Sequence, residues 1–440
     1  MTCDAFYETH SLPHQGGDRC SRHEIESGTA RAYSVIGACT TIFGIANLFV
    51  TRWAIKRFGV KTALLIQVFW AAVRLLIQNI GAMTGSSRGL LIFQCSQIIT
   101  VIGGPNGYVL ALNSFVTDVT DQEQRTGALG QLQGCMLVGV AVGYLIGGIV
   151  GEYFGILAPF RMTLGLFLLC SFYVLALLPA IPRQEDVVAA RQTKGITQYL
   201  GPLRVFAPQK WTLLDGRTVS HFGTLTLGIG VFLAILATGY IPTMLQMYAT
   251  NSFGYGTADN AWLIFIYSAL RGLFLTLVFP RIIAFGRKWL DSRSGDSKNG
   301  VDVGKLQNDE PQNIPTSPAE IGPIDSMDND AELETPAKRQ VEGETYAFDL
   351  VYARFSLLAD VVLCGLATFS TKGWHLYPVA VFLPLSAGTG SAAKGSVLQM
   401  IPSHERVDTL SGITLIENVA RLSTSKFDFP RAISVTRFQY

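Results

Sequence analysis

The chain has 440 residues, of which 15% are charged and 49% hydrophobic, with 34 Lys and Arg against 32 Asp and Glu and a mean hydropathy of +0.33. An ordinary soluble globular protein carries about 25% charged residues. With the charges gathered into a few segments, this composition excludes a soluble enzyme, a disordered protein and a nucleic-acid binder, and points to an all-α polytopic membrane protein. A net charge of +2 selects no partner, and the six His and seven Cys form no CxxC, HExxH or Cys/His ladder that would hold a metal or a disulfide scaffold.

The first 33 residues are a polar tail with no signal-peptide apolar region. Its Cys3 and Cys20 would be exported and are able to pair. A helix rises 1.5 Å per residue, so about 20 apolar residues cross the bilayer core. Nine stretches qualify: Ser34 to Thr51, Thr62 to Ala82, Leu90 to Thr117, Leu129 to Gly151, Phe160 to Ile181, His221 to Met247, Ala261 to Ile283, Leu350 to Ser370, and Tyr377 to Met400. Their backbone polar groups must be satisfied within each segment, which leaves helices as the only reasonable assignment.

Alternate loops on one side of these spans hold 20 Lys and Arg, while the opposite loops hold only Arg88, Arg161 and Lys372. The rich side is therefore cytoplasmic and the amino-terminal tail lies outside. Residues 182–220 read as a linker between two bundles, and the acidic, Pro-spaced residues 284–347 as a disordered cytoplasmic loop.

The chain repeats itself across that linker. Phe58-Gly59-Val60-Lys61 returns as Phe285-Gly286-Arg287-Lys288 after 227 residues, and Glu123-Gln124-Arg125 is echoed by Glu405-Arg406 after 281, the difference matching the acidic loop. Internal repeats of this kind are typical of secondary transporters. Used as a ruler, the repeat assigns one span before Met1 and two after the ninth. Glu417, Arg421, Lys426, Asp428, Arg431 and Arg437 argue against a lipid-facing span near the carboxy terminus, where each central charge costs about 2.5 to 3.5 kcal/mol. The expectation is a chain with about nine of twelve helices, truncated at both ends.

Several residues stand out within the spans. Gly130, Gly139, Gly143, Gly147 and Gly148 include a stripe four residues apart, where missing side chains let helices approach. Arg74, Arg271, Arg354, Asp360 and Lys394 lie at membrane depth, where charges usually face a cavity or a partner. Asp360 is the only acid read as deep in a span, hence the candidate proton carrier. Gly103-Gly104-Pro105-Asn106-Gly107 and Gly388-Thr389-Gly390 break their helices, which makes these plausible pore-lining elements, with Asn106 and Asn113 as hydrogen-bonding candidates.

From Ser34 to Leu415 the sequence resembles the major facilitator superfamily, and this likeness implies two six-helix halves joined by a cytoplasmic loop. Gly130-x8-Gly139-x3-Gly143-Tyr144-x2-Gly147-Gly148 resembles the glycine pattern of the antiporter branch, although Tyr144 replaces the family's Pro. Arg57, Gly59 and Lys61 match the family's cytoplasmic gating loop, but Arg52 and Lys56 stand where that loop has its leading Gly and its Asp. The likeness implies a latch between Arg57 and Asp118, near Arg125. Gln94-x-x-Gln97 stands where the family has an Arg implicated in proton coupling, which weakens the assignment of a proton as the driving ion.

The resemblance divides the chain into residues 1–33, the outside tail; 34–181, family helices two to six; 182–220, the linker; 221–283, helices seven and eight; 284–347, the acidic loop; 348–415, helices nine, ten and the start of eleven; and 416–440, a charged tail. It implies a secondary transporter without catalytic residues, cofactor or metal, and without nucleic acid as a partner, exporting a drug-like or metabolic solute in exchange for protons. Its place would be the plasma membrane, with an internal membrane as the alternative. No GxxxxGK[ST] is present to drive it with nucleotide. The rival reading is a non-transporting or degenerate relative, a truncated product or a sensor.

Overall fold

The computed structural model describes residues 23–155, 157–179, 205–207, 209–212, 218–239, 241–298, 345–401 and 405–435. The expected Cys3–Cys20 pair, most of the linker and the core of the acidic loop lie outside them.

Helix α1 (His23–Phe58) starts eleven residues before the apolar stretch expected from Ser34, because polar residues such as Glu24 and Glu26 extend a helix as readily as they form a tail. Gly59, at φ 84, separates it from α2 (Val60–Thr84), and only a residue without a side chain adopts that turn cheaply. The third span is broken into α3 (Ser86–Cys95), a 3-10 turn (Ser96–Val101) and α4 (Pro105–Val119). Two unbroken helices complete the first half, α5 (Arg125–Phe154) and α6 (Leu157–Leu177). On α6 only Ser171 and Val174 are buried, whereas Leu166, Leu169, Phe172 and Leu175 project outward, as a lipid-facing helix requires.

The linker carries a short antiparallel hairpin, β1 (Gln209–Thr212) with β2 (Thr218–His221), in the register Gln209 to His221 and Thr212 to Thr218. The second half follows with α7 (Gly223–Thr238), α8 (Ile241–Phe253) and α9 (Thr257–Leu273), the last running through a π-turn into α10 (Phe279–Lys298). Residues 284–298 are therefore helical rather than part of a disordered loop. Next come α11 (Thr345–Ala367), α12 (Leu376–Phe382), α13 (Thr389–Gln399) and α14 (Arg406–Val435). Eight helices among the described residues are long and apolar enough to cross a membrane.

The charged tail expected from residue 416 is instead the continuation of α14, which packs on α7, α1 and α4. It tolerates Glu417 because that carboxylate meets Lys394 Nζ at 2.9 Å, both side chains being nearly enclosed. The Phe-Gly echo also differs in structure. Gly59 ends a helix, while Gly286 lies inside α10 beneath the Phe348 ring.

The two halves meet along α5, which packs against α9, α10 and α13, and along α14. The apolar core follows them across the joint: Leu48, Leu64, Leu110 and Leu129 of the first half cluster with Leu398 and Leu410 of the second.

Candidate functional site

Charged groups gather at the joint from the ends of α1 and α4, the middle of α10 and the starts of α5, α11 and α14, and two sets of them bridge the halves. Arg52 and Lys56, one turn apart on α1, share a face. Arg52 Nε and Nη2 donate to the two carboxylate oxygens of Asp408 at 2.6 and 2.8 Å, and Lys56 Nζ lies 2.6 Å from Oδ1. A two-pronged guanidinium contact of this length is among the stronger polar interactions available. Asp408 also sits in the first turn of α14, where the helix dipole favours an acid.

The expected latch between Arg57 and Asp118 is not made, and no ion pair joins them among the described residues. Arg57 is exposed at the end of α1 and Lys61 is half-buried beyond Gly59. Asp118 is exposed at the end of α4 and is attracted by Arg406 and Arg125; burial of its inner side pushes the carboxyl above its ordinary value, and the two arginines pull it back.

A second latch was not anticipated. Arg287 donates to both oxygens of Asp349, from Nη2 at 2.6 Å and Nε at 3.2 Å, and reaches across the joint to Thr126 Oγ1 at 2.9 Å and to the Glu123 carbonyl. Thr126 in turn donates to Asp349 at 2.7 Å. Asp349 and Thr126 are fully buried, so the cluster is closed to water. In the sequence Arg287 stands only as one of the orienting charges and as part of the Phe-Gly repeat; the signal that distinguishes it is its register one residue past Gly286, where α10 packs on α11.

The intramembrane charges separate into distinct roles. Arg74 donates to Thr100 at 2.9 Å. Arg271 donates to the Tyr267 hydroxyl, its guanidinium 5.7 Å from that ring, and lies within electrostatic reach of Asp360. Arg354 is exposed on α11, and among the described residues it forms no ion pair. Lys394 is held by Glu417, so Asp360 is not the only acid at depth.

Both helix breaks are stapled by side chains from neighbouring helices. Asn47 Oδ1 accepts from the Gly107 amide at 2.6 Å, and Gln67 Oε1 from the Gly104 amide at 3.1 Å. Asn47 Nδ2 also donates to Gln67 and to the Val101 carbonyl, and Gln67 Nε2 donates to Thr51. At the other break, Tyr352, Ser356 and Asp360 form a stripe four residues apart on α11. They bond the Ala387 carbonyl, Thr389 and Ser386, around Gly388 at φ 114. The breaks are packed joints. Asn106 lies half-buried against Gly44, and Asn113 is buried.

The glycine stripe is placed differently from its reading. A side chain at Gly139, Gly143, Gly147 or Gly148 would meet nothing within 4 Å, whereas Gly130 lies under the Phe279 ring. The close approach is made one turn later by Gly134, where an added carbon would stand 2.7 Å from the Gly272 carbonyl, and by Gly272 itself, 2.8 Å from the Gly134 carbonyl.

Two helical bundles meeting along α5 and α14, with charge latches on one face, define a two-bundle membrane carrier fold. The sequence model described as Major Facilitator Superfamily matches residues 24–290, more than half of the chain, and the protein belongs to that family. Among solved structures, the human organic anion transporter MFSD10 aligns with a TM-score of 0.59 at 14% identity, over 96% of this chain and 81% of that one. The proton:xylose symporter XylE aligns at 0.56 and 15%, over 99% and 84%. Among curated relatives, the major facilitator-type transporter psiT1 of Psilocybe cyanescens is 23% identical over 64% of each chain. Multidrug resistance protein 1 of Bacillus subtilis (strain 168) is 25% identical over 54% of each. The chain thus spans about half to two thirds of the length of these curated relatives. It is a multi-pass membrane protein of a transporter family, not an enzyme family.

Proposed function

We propose that the protein moves a small organic solute by alternating access, as a proton-coupled exporter in the plasma membrane. The observation that carries this reading is the position of the two latches. Both cross the joint between the bundles, and both lie on the same side, so opening them frees that face while the α5–α9 contact serves as the pivot. The multidrug names of two relatives support a drug-like solute.

Asp360 is the proposed proton carrier, with Arg271 and Tyr267 beside it. It sits where a hydroxyl of the broken helix can report its protonation state: Ser386 donates to it immediately before the Gly388 turn. Asn106 and Asn113 are proposed as solute contacts on α4.

Ethidium flux in proteoliposomes under an imposed pH gradient tests the proposal. The expected result is flux in the direction opposite to the protons, abolished in Asp360→Asn along with its pH dependence. Flux that ignores the gradient removes proton coupling. Folded protein that moves none of a panel of organic cations, anions and sugars supports the rival reading of a non-transporting relative.

A further inference from the structure

Between the two latches lies a cluster that neither latch satisfies. Arg125 opens α5 and Arg406 opens α14, so the positive ends of two 30-residue helices converge there. The arginines are close enough to repel one another, and Asp118 attracts both while Asp121 attracts Arg125.

Arg125 is only 4% exposed, yet its single hydrogen bond among the described residues is a long one, from Nη2 to the Thr120 carbonyl at 3.4 Å. Its Nε and Nη1 are buried without partners, as is Nε of Arg406. Both polar atoms of Gln399 are also buried and unpartnered, one turn beyond Gly395, which lies against Thr126. No carboxylate among the described residues forms an ion pair or hydrogen bond with either arginine. Buried donors are almost always satisfied, because each idle one forfeits its hydration without return.

We propose that this cluster is an oxyanion site: a phosphate group, free or carried by a phospholipid head, is held by Arg125 Nε and Nη1, Arg406 Nε and Gln399 Nε2, and bridges the two bundles on the charged side. Guanidinium groups and helix N-termini are the usual holders of such groups. The binding claim stands apart from the transport reading and is tested without flux.

Thermal unfolding of the full chain in a neutral detergent, at constant ionic strength, is followed as inorganic phosphate replaces chloride. In a second arm the protein is placed in phosphatidylcholine nanodiscs with and without phosphatidylglycerol. The expected result is a saturable rise in unfolding temperature in at least one arm. A rise with phosphate assigns the free ion, and a rise only with phosphatidylglycerol assigns the lipid head. The rise disappears in Arg406→Gln and persists in Arg57→Gln, which removes an exposed charge at the end of α1. Gln399→Leu, which leaves all charges in place, raises the half-saturating concentration about tenfold. Should Arg406→Gln fail to fold, Gln399→Leu alone decides. No saturable rise in either arm, or an unchanged midpoint in Gln399→Leu with the rise retained in Arg406→Gln, overturns the proposal.

Discussion

Asp349 is an acid with no exposed surface, and its charge is balanced by one guanidinium and one hydroxyl. Removing the cation alone strands a carboxylate away from water. Arg287→Met is expected to destabilise the folded protein by about 3 to 5 kcal/mol, while Arg287→Met with Asp349→Leu recovers most of the loss, because a well-packed apolar pair replaces a buried ion pair at little cost. Unfolding midpoints in detergent measure both. Asp118 gives a pH-dependent counterpart. Its folded-state value is raised, so the protein holds that proton more tightly than the unfolded chain does, and the stability this contributes is present below the ordinary carboxylate range and lost as pH rises through the elevated value. Asp118→Asn mimics the protonated form. Its unfolding temperature relative to the wild type is expected to be level at the acid end and to climb as pH increases; a pH-independent difference would count against the assignment.

At the scale of elements, small residues separate into those that touch and those that do not. Gly134→Val drives a side chain into the Gly272 backbone and is expected to disrupt the α5–α9 joint, whereas Gly143→Val enters open space and is expected to be tolerated. Yield of monodisperse protein distinguishes them, and equal tolerance would remove the tight joint. A family spacing led the sequence reading to the stripe through Gly139, Gly143 and Gly147, and only contacts with α9 reveal which face of α5 is buried. The helix breaks were legible from Gly-Gly-Pro and Gly-Thr-Gly. Their staples were not, because Asn47 and Gln67 are uncharged residues in apolar runs and give no hydropathy signal. The staple partners lie 60 and 37 residues away in the chain.

For the whole molecule, the helical, multi-pass character followed from apolar length; eight spans rather than the expected nine qualify among the described residues, because the third is broken into shorter helices. The latches did not follow, since Arg52 and Asp408 are 356 residues apart and nothing local marks them as partners. The carboxy-terminal helix was misread for a related reason: Glu417 was weighed as an isolated charge, whereas Lys394 meets it from the neighbouring helix. Asp408→Lys is expected to repel Arg52 and Lys56 and open the charged face. Adding Arg52→Glu and Lys56→Glu restores the attraction with its sign reversed. Accessibility of a cysteine placed at Thr126 to a membrane-impermeant thiol reagent should rise in the single variant and fall back in the triple one, and no recovery in the triple variant would discount the latch.

The stapled break in the third span bears on how this protein can bend. Interrupted helices are ordinarily where amide protons escape most easily, because local opening there needs few bonds to part. Here the Gly104 and Gly107 amides are held by buried side chains from two other helices, so they can be released only if α1, α2 and α4 separate together. In deuterated buffer these two amides should be among the slowest of the first half to exchange, and the first bundle should move as one solid body.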